Sequence, residues 1–235
     1  RRVLKDLGYE SKWRVAGGTP GTQETWLRRA SDEYFYVDLH WDLRNHPVLR
    51  GVIGFEEQWA ASVDLDNSGS GLKGQGNVHA LLNASMHWFD DLFPVQRPLG
   101  WLLDKDLLWR TMSDDEREYV VALAIERGVA GLLAASLKMT RIVFDTPVSP
   151  DVIDNLENAG RRQRATRLTR TDRHPMSKWL FTLRCEPDLH GKLVRIRESL
   201  FPPSDHMRER YPEGSRLGLP GLYWRRLTKD WNNEG

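Results

Sequence analysis

The sequence predicts an α+β fold, a small mixed or antiparallel sheet followed by an all-α helical array. Three observations predict it. Residues 34–43 (Tyr-Phe-Tyr-Val-Asp-Leu-His-Trp-Asp-Leu) alternate apolar and polar without a break, the period of a half-buried strand. Glu24–Ala30 reads as a second strand, joined to the first through Ser31-Asp32, and a two-residue loop makes that pair an antiparallel hairpin. From Asn77 onward the apolar period becomes helical. A division near residue 76 is therefore expected, with an α/β region at 1–76 and a helical region at 77–235.

Composition bounds the problem. The 235 residues suffice for one large domain or two small ones. Lys and Arg number 34 against 33 Asp and Glu, a formal charge of +1, so no global field points to nucleic acid. One cysteine, Cys185, cannot form an internal disulfide, which fits a reducing cytoplasm. No apolar run approaches the roughly 20 residues of a membrane helix, and no signal peptide opens the chain. Most of the ten tryptophans are expected in the core or in interhelix packing, not in a ligand platform.

Taken in order, Arg2–Leu7 reads as a helix ended by Gly8. Residues 11–23 are rich in Gly, Thr and Pro and read as a loop. Its Gly17-Gly18 lacks the following helix and Lys-Ser/Thr of a phosphate loop. In the central strand Phe35, Val37, Leu39, Trp41 and Leu43 share one face, while Tyr36, Asp38, His40 and Asp42 share the other. Strands are depleted in Asp. A solvated face accounts for the pattern; so does one wall of a site for a divalent cation, since hard cations take oxygen ligands.

Val48–Ala61 is expected to hold a short helix with Phe55 and Trp59. Asp64-Leu65-Asp66 precedes a Gly/Ser turn and reads as a pair of solvated carboxylates. In the first long helix Val78, Leu81, Leu82, Ser85, Met86 and Phe89 form one stripe. Residues 99–110 form a second, very apolar helix in which Asp104 is embedded, with His87 as its expected structural partner. Ser113-Asp114-Asp115-Glu116 is an N-cap with an acidic first turn, and Ser149-Pro150-Asp151 is another. Ala122, Ala124, Ala130, Gly131, Ala134 and Ala135 suit close helix packing. Residues 161–184 carry eight basic side chains (Arg161, Arg162, Arg164, Arg167, Arg170, Arg173, Lys178, Arg184) against one acid, Asp172. The run reads as a solvated linker or as a patch for an acidic partner. Amphipathic helix returns at 178–200, a short helix precedes Tyr211, and a last one spans 217–228.

The order of Val37-Asp38-Leu39-His40-Trp41-Asp42-Leu43, His87, Trp101-Leu-Leu-Asp104, Glu126-Arg127-Gly128, Thr146-Pro147, Leu200-Phe-Pro-Pro-Ser204 and Leu222-Tyr-Trp-Arg-Arg226 resembles the bacterial uncharacterised nucleotidyltransferase family, a branch of the polymerase-β-like superfamily. The resemblance covers most of the chain. It implies a sheet carrying three metal-binding carboxylates, two from an Asp-x-Asp/Glu pair after a Gly-Ser helix start and the third from an apolar-Asp/Glu-apolar strand. Val37-Asp38-Leu39 matches the third, so the resemblance assigns Asp38 to metal and catalysis. Asp42 is a further metal candidate, and His40 is expected to orient a carboxylate or the acceptor. The implied chemistry is transfer of a nucleoside monophosphate from an NTP, with Mg²⁺, to an unidentified acceptor.

The chain departs from that pattern. No Gly-Ser with Asp-x-Asp stands before Asp38, and Asp64-Leu65-Asp66 comes after it in order. The opening Arg1-Arg2-Val3 lies within a helix, so a preceding segment with the motif is expected. The alternatives are ligands from another chain or a catalytically incomplete binding or scaffold protein using the helices and the 161–184 segment. A toxin-type nucleotidyltransferase is a further reading. With one carboxylate of three, this chain is expected to fold and to bind Mg²⁺-NTP weakly.

Overall fold

The computed structural model describes residues 1–12, 23–40, 42, 44, 46–65, 71–90, 99–170, 175–201, 204, 207, 208, 211 and 218–226. Along them run α1 (Arg2–Asp6), β1 (Glu10–Lys12), β2 (Gln23–Ala30), β3 (Glu33–His40), α2 (Phe55–Ala60), β4 (Val63–Asp64) and β5 (Lys73–Gly74). There follow α3 (Asn77–Asp90), α4 (Leu99–Thr111), α5 (Asp114–Glu126), α6 (Ala130–Phe144), α7 (Pro150–Gly160), a 3₁₀ turn (Ala165–Thr169), α8 (Pro175–Cys185), α9 (Leu189–Leu200) and α10 (Gly218–Arg225). The fold is thus α+β, with an antiparallel three-stranded sheet, a two-stranded ribbon and many helices. No helix among the described residues is long and apolar enough to cross a membrane.

Two compact units emerge, Arg1–Pro47 with Arg173–Gly235, and Val48–Asp172. The first unit takes in the last quarter of the chain, 173–235, together with the N-terminal segment.

In the first unit the sheet order is β1-β2-β3. The hairpin turns at Ser31, whose φ of 57° opens the two-residue loop, and the register sets Ala30 opposite Glu33 and Thr25 opposite Asp38. Residues 11 and 12, expected in a loop, pair with β2 instead. Trp26 is buried opposite Val37, and both Val37 and Leu39 are half-buried. Phe35, expected on the same buried face, is exposed, with the Arg28 guanidinium 5.5 Å from its ring centre and 5.1 Å from that of Tyr9. Trp41 and Leu43 lie outside the described residues. The Glu24 carboxylate accepts from Ser11 Oγ at 2.8 Å and Arg1 Nε at 2.8 Å, and these bonds, Ser11's foremost, hold it below the ordinary carboxylate range. What they contribute is present at neutral pH and lost as the pH falls through that lowered value.

The helices of this unit are held by directed bonds. Thr182 donates its hydroxyl to Lys178 O at 2.9 Å, so His46 Nε2–H is the donor in the 3.0 Å contact with Thr182 Oγ1. The His46 ring also stacks on Phe181 at 5.5 Å. Trp179 donates to Ser199 Oγ at 2.9 Å, joining α8 to α9. The single amphipathic run expected over 178–200 is two helices. Pro187 cannot extend α8, and Asp188 caps α9 by accepting from Gly191 N at 2.6 Å. At that junction Arg195 and Glu186 form a buried ion pair, with Nη2 2.6 Å from Oε1. Cys185, the single cysteine of the chain, ends α8.

The second unit holds the larger core. The expected α3 stripe of Val78, Leu81, Leu82, Ser85, Met86 and Phe89 is buried throughout. Ser113 accepts from Glu116 N while Glu116 reaches back to Ser113 N, a complete capping box, and Ser149 caps α7 through Asp151 N. Residues 48–54 are turns, which shortens the helix expected there to α2.

Close approach of α6 and α7 depends on glycine. A Cβ on Gly160 would lie 2.6 Å from both Gly131 Cα and Gly131 N. The embedded carboxylate of α4 is Asp106, not Asp104. Asp104 is exposed, whereas Asp106 accepts from Arg110 Nε at 2.8 Å and Thr146 Oγ1 at 2.7 Å. His87, its expected partner, tilts instead against the Trp101 ring at 4.6 Å. Of the tryptophans, Trp26, Trp88 and Trp109 are buried, while Trp59 and Trp224 are exposed.

Candidate functional site

The strand face that carries Asp38 is built by the hairpin. Side chains directly opposite across antiparallel strands point the same way, so the register sets Leu27 beside Tyr36, Thr25 beside Asp38 and Gln23 opposite His40. Asp38 is exposed, and Thr25 Oγ1 donates to its Oδ1 at 2.6 Å. That bond fixes the carboxylate on a rigid element while leaving Oδ2 directed at no described residue. The contact is short because the acceptor is charged. No ion pair covers Asp38 among the described residues.

His40 is also exposed and ends β3, two residues from Asp38 on the same face. Asp42 lies beyond the strand and is half-buried, and its Oδ1 accepts from Arg44 N at 3.1 Å, closing a local turn. One of its oxygens is therefore committed to the backbone. The structure thus places Asp38 and His40 together on one strand face and gives Asp42 a turn-forming bond.

A metal cage of three or more His, Cys, Asp or Glu is not formed among the described residues. Asp64 belongs to a surface pair, 2.9 Å from Lys73 Nζ across the β4–β5 ribbon, and Asp66 lies outside the described residues, as does Gly17-Gly18. Mg²⁺ is commonly held by one or two carboxylates together with substrate phosphates. Asp38, open and preoriented, fits as one such ligand; the described residues alone do not assemble a two-metal site.

Thr25 was not singled out from the sequence, although a signal existed. A two-residue loop at Ser31-Asp32 dictates which residue of β2 faces each residue of β3, and counting back from the turn sets Thr25 against Asp38.

No curated protein and no solved structure matches the chain. The sequence pattern of one family, described as uncharacterised nucleotidyltransferase, matches residues 1–145, from α1 to the end of α6 and so across the whole β3 face. The chain belongs to the uncharacterised nucleotidyltransferase family.

Proposed function

We propose that this protein takes part in nucleotidyl transfer, moving a nucleoside monophosphate from an NTP to an acceptor, with Asp38 as a metal-binding carboxylate. The observation that carries the reading is the open Asp38 carboxylate, fixed by Thr25 on β3 within the segment that matches the family. Nucleotidyltransferases generally use divalent cations, and Mg²⁺ supplies charge stabilisation to the phosphoryl oxygens when bound. Asp38 would hold it through Oδ2, with Oδ1 anchored by the Thr25 hydroxyl. His40, on the same face, would orient the substrate or a neighbouring carboxylate. Asp42 would add a ligand through the oxygen that Arg44 does not use.

The test is transfer of label from α-labelled ATP, CTP, GTP and UTP by the full-length protein, with Mg²⁺ and total cellular RNA and protein offered as acceptors. Asp38→Asn should lower the transfer by about a hundredfold or more, the scale of losing several kcal/mol of charge stabilisation. Its thermal stability should change little, because the residue is exposed. Full activity in that variant removes Asp38 from the chemistry.

A further inference from the structure

Within the basic run after α7, expected as a solvated linker or an acidic partner's contact, residues 164–170 form a hydrogen-bonded turn. Arg167 N bonds Arg164 O at 3.1 Å and Arg170 N bonds Arg167 O at 3.4 Å, the i to i+3 pattern of a 3₁₀ turn. With three residues per turn, side chains three apart eclipse. The turn therefore has three distinct edges. Ala165 is buried and Leu168 packs against the core of the unit, so one edge is the anchor. Thr166 and Thr169 form the second, with Thr166 Oγ1 donating to Gly160 O at 2.7 Å and Thr169 Oγ1 to Thr166 O at 2.9 Å. Arg164, Arg167 and Arg170 form the third, and all three are exposed.

The anchorage is strong on the preceding residue too. Gln163 Oε1 accepts from Ala130 N at 2.8 Å, and its Nε2 donates to Ile125 O at 3.0 Å. The arginine edge is thus held in place before any ligand arrives, which lowers the ordering cost of binding. From Asn158 to Thr171 the chain carries no Asp or Glu, and Arg161 and Arg162 are exposed just ahead of the turn.

We propose that this arginine ladder is a binding surface for a single strand of nucleic acid, held by its phosphates. At about 2 Å of rise per residue, successive arginines stand about 6 Å apart along the turn, comparable to neighbouring phosphates on one strand. Arg donates in a planar fork that suits phosphate oxygens. No large apolar side chain is exposed between residues 160 and 170, so the surface offers nothing to insert into a lipid bilayer. No aromatic stands among residues 160–170 to stack on a base. Recognition is therefore of the backbone, without sequence preference. This inference does not depend on Asp38.

Fluorescence anisotropy of short labelled oligo(U) and oligo(dT) with the full chain tests it. Three phosphate contacts predict that log K falls with log salt at a slope of about −2, at about −0.7 per contact on a single strand. The triple variant Arg164→Gln/Arg167→Gln/Arg170→Gln should bring that slope near zero with unchanged thermal stability. Arg164→Lys/Arg167→Lys/Arg170→Lys should keep the slope. A control that removes the same charge elsewhere, Arg141→Gln/Arg184→Gln/Arg197→Gln, should also keep it, these three being exposed and outside the turn. Equal loss in ladder and control variants overturns the proposal, as does the absence of salt-dependent oligonucleotide binding. Ladder-dependent binding to phosphatidylserine vesicles but not to either oligonucleotide assigns the surface to a membrane and overturns it as well.

Discussion

Arg195→Ala should destabilise the unit that contains the sheet by about 3–5 kcal/mol, the usual result of removing one partner of a buried ion pair. The side chains of Arg195 and Glu186 are 9% and 3% exposed, and Arg195 Nε also lies 2.7 Å from Glu186 Oε1. A guanidinium fork thus closes the junction where Pro187 ends α8 and Asp188 starts α9. Truncating the arginine removes both of these contacts from a carboxylate held away from water. Replacing both partners by apolar residues, as in Arg195→Met/Glu186→Leu, should recover most of the loss, because no buried charge is left. Denaturant unfolding of the wild type, the single variant and the double variant measures both statements. A loss under about 1 kcal/mol in Arg195→Ala would show that the pair is open to solvent.

Gly160→Ala should cost about 3 kcal/mol or more in the helical unit, at the upper end of overpacking effects. The added methyl meets backbone atoms of Gly131 at 2.6 Å, and backbone cannot rotate away as a side chain would. The helices must separate, and that movement also disturbs Thr166, whose hydroxyl bonds Gly160 O. Gly100 in α4 provides the contrast, since a Cβ there meets nothing within 4 Å. Gly100→Ala should therefore stabilise by about 0.5 kcal/mol through the unfolded chain. Thermal melts of the two variants should move in opposite directions, and movement of both in the same direction would remove the packing argument.

Features governed by local chemistry were legible in the sequence. The β2–β3 hairpin followed from alternation and a two-residue loop, and the starts of α5 and α7 from Ser113 and Ser149. Features that depend on phase or on distant partners were not. Helix α4 has leucine on several sides, with Leu99, Leu103 and Leu107 exposed and Leu102 and Trp109 buried. Its sequence therefore has little directional preference, and Asp104 could not be told from Asp106. On the buried side Asp106 accepts from Thr146, and from Arg110 one turn along the same helix. Likewise the basic run read as a linker because Gln163, Ala165 and Leu168 find their partners on segments tens of residues away. At the candidate site, Asp38 was legible from the strand pattern and the family resemblance. The turn-closing bond of Asp42 to Arg44 was hidden, since it depends on how the chain leaves β3.

The proposed cation site on the β3 face can be tested without knowing the acceptor. Mn²⁺ added with a non-hydrolysable NTP analogue broadens the NMR signals of nuclei near it, even when binding is weak. The amide signals of Val37 to His40 and of Thr25 should be lost early, and should persist in Asp38→Asn under the same titration. Broadening centred on another part of the chain, or unchanged in Asp38→Asn, would contradict it.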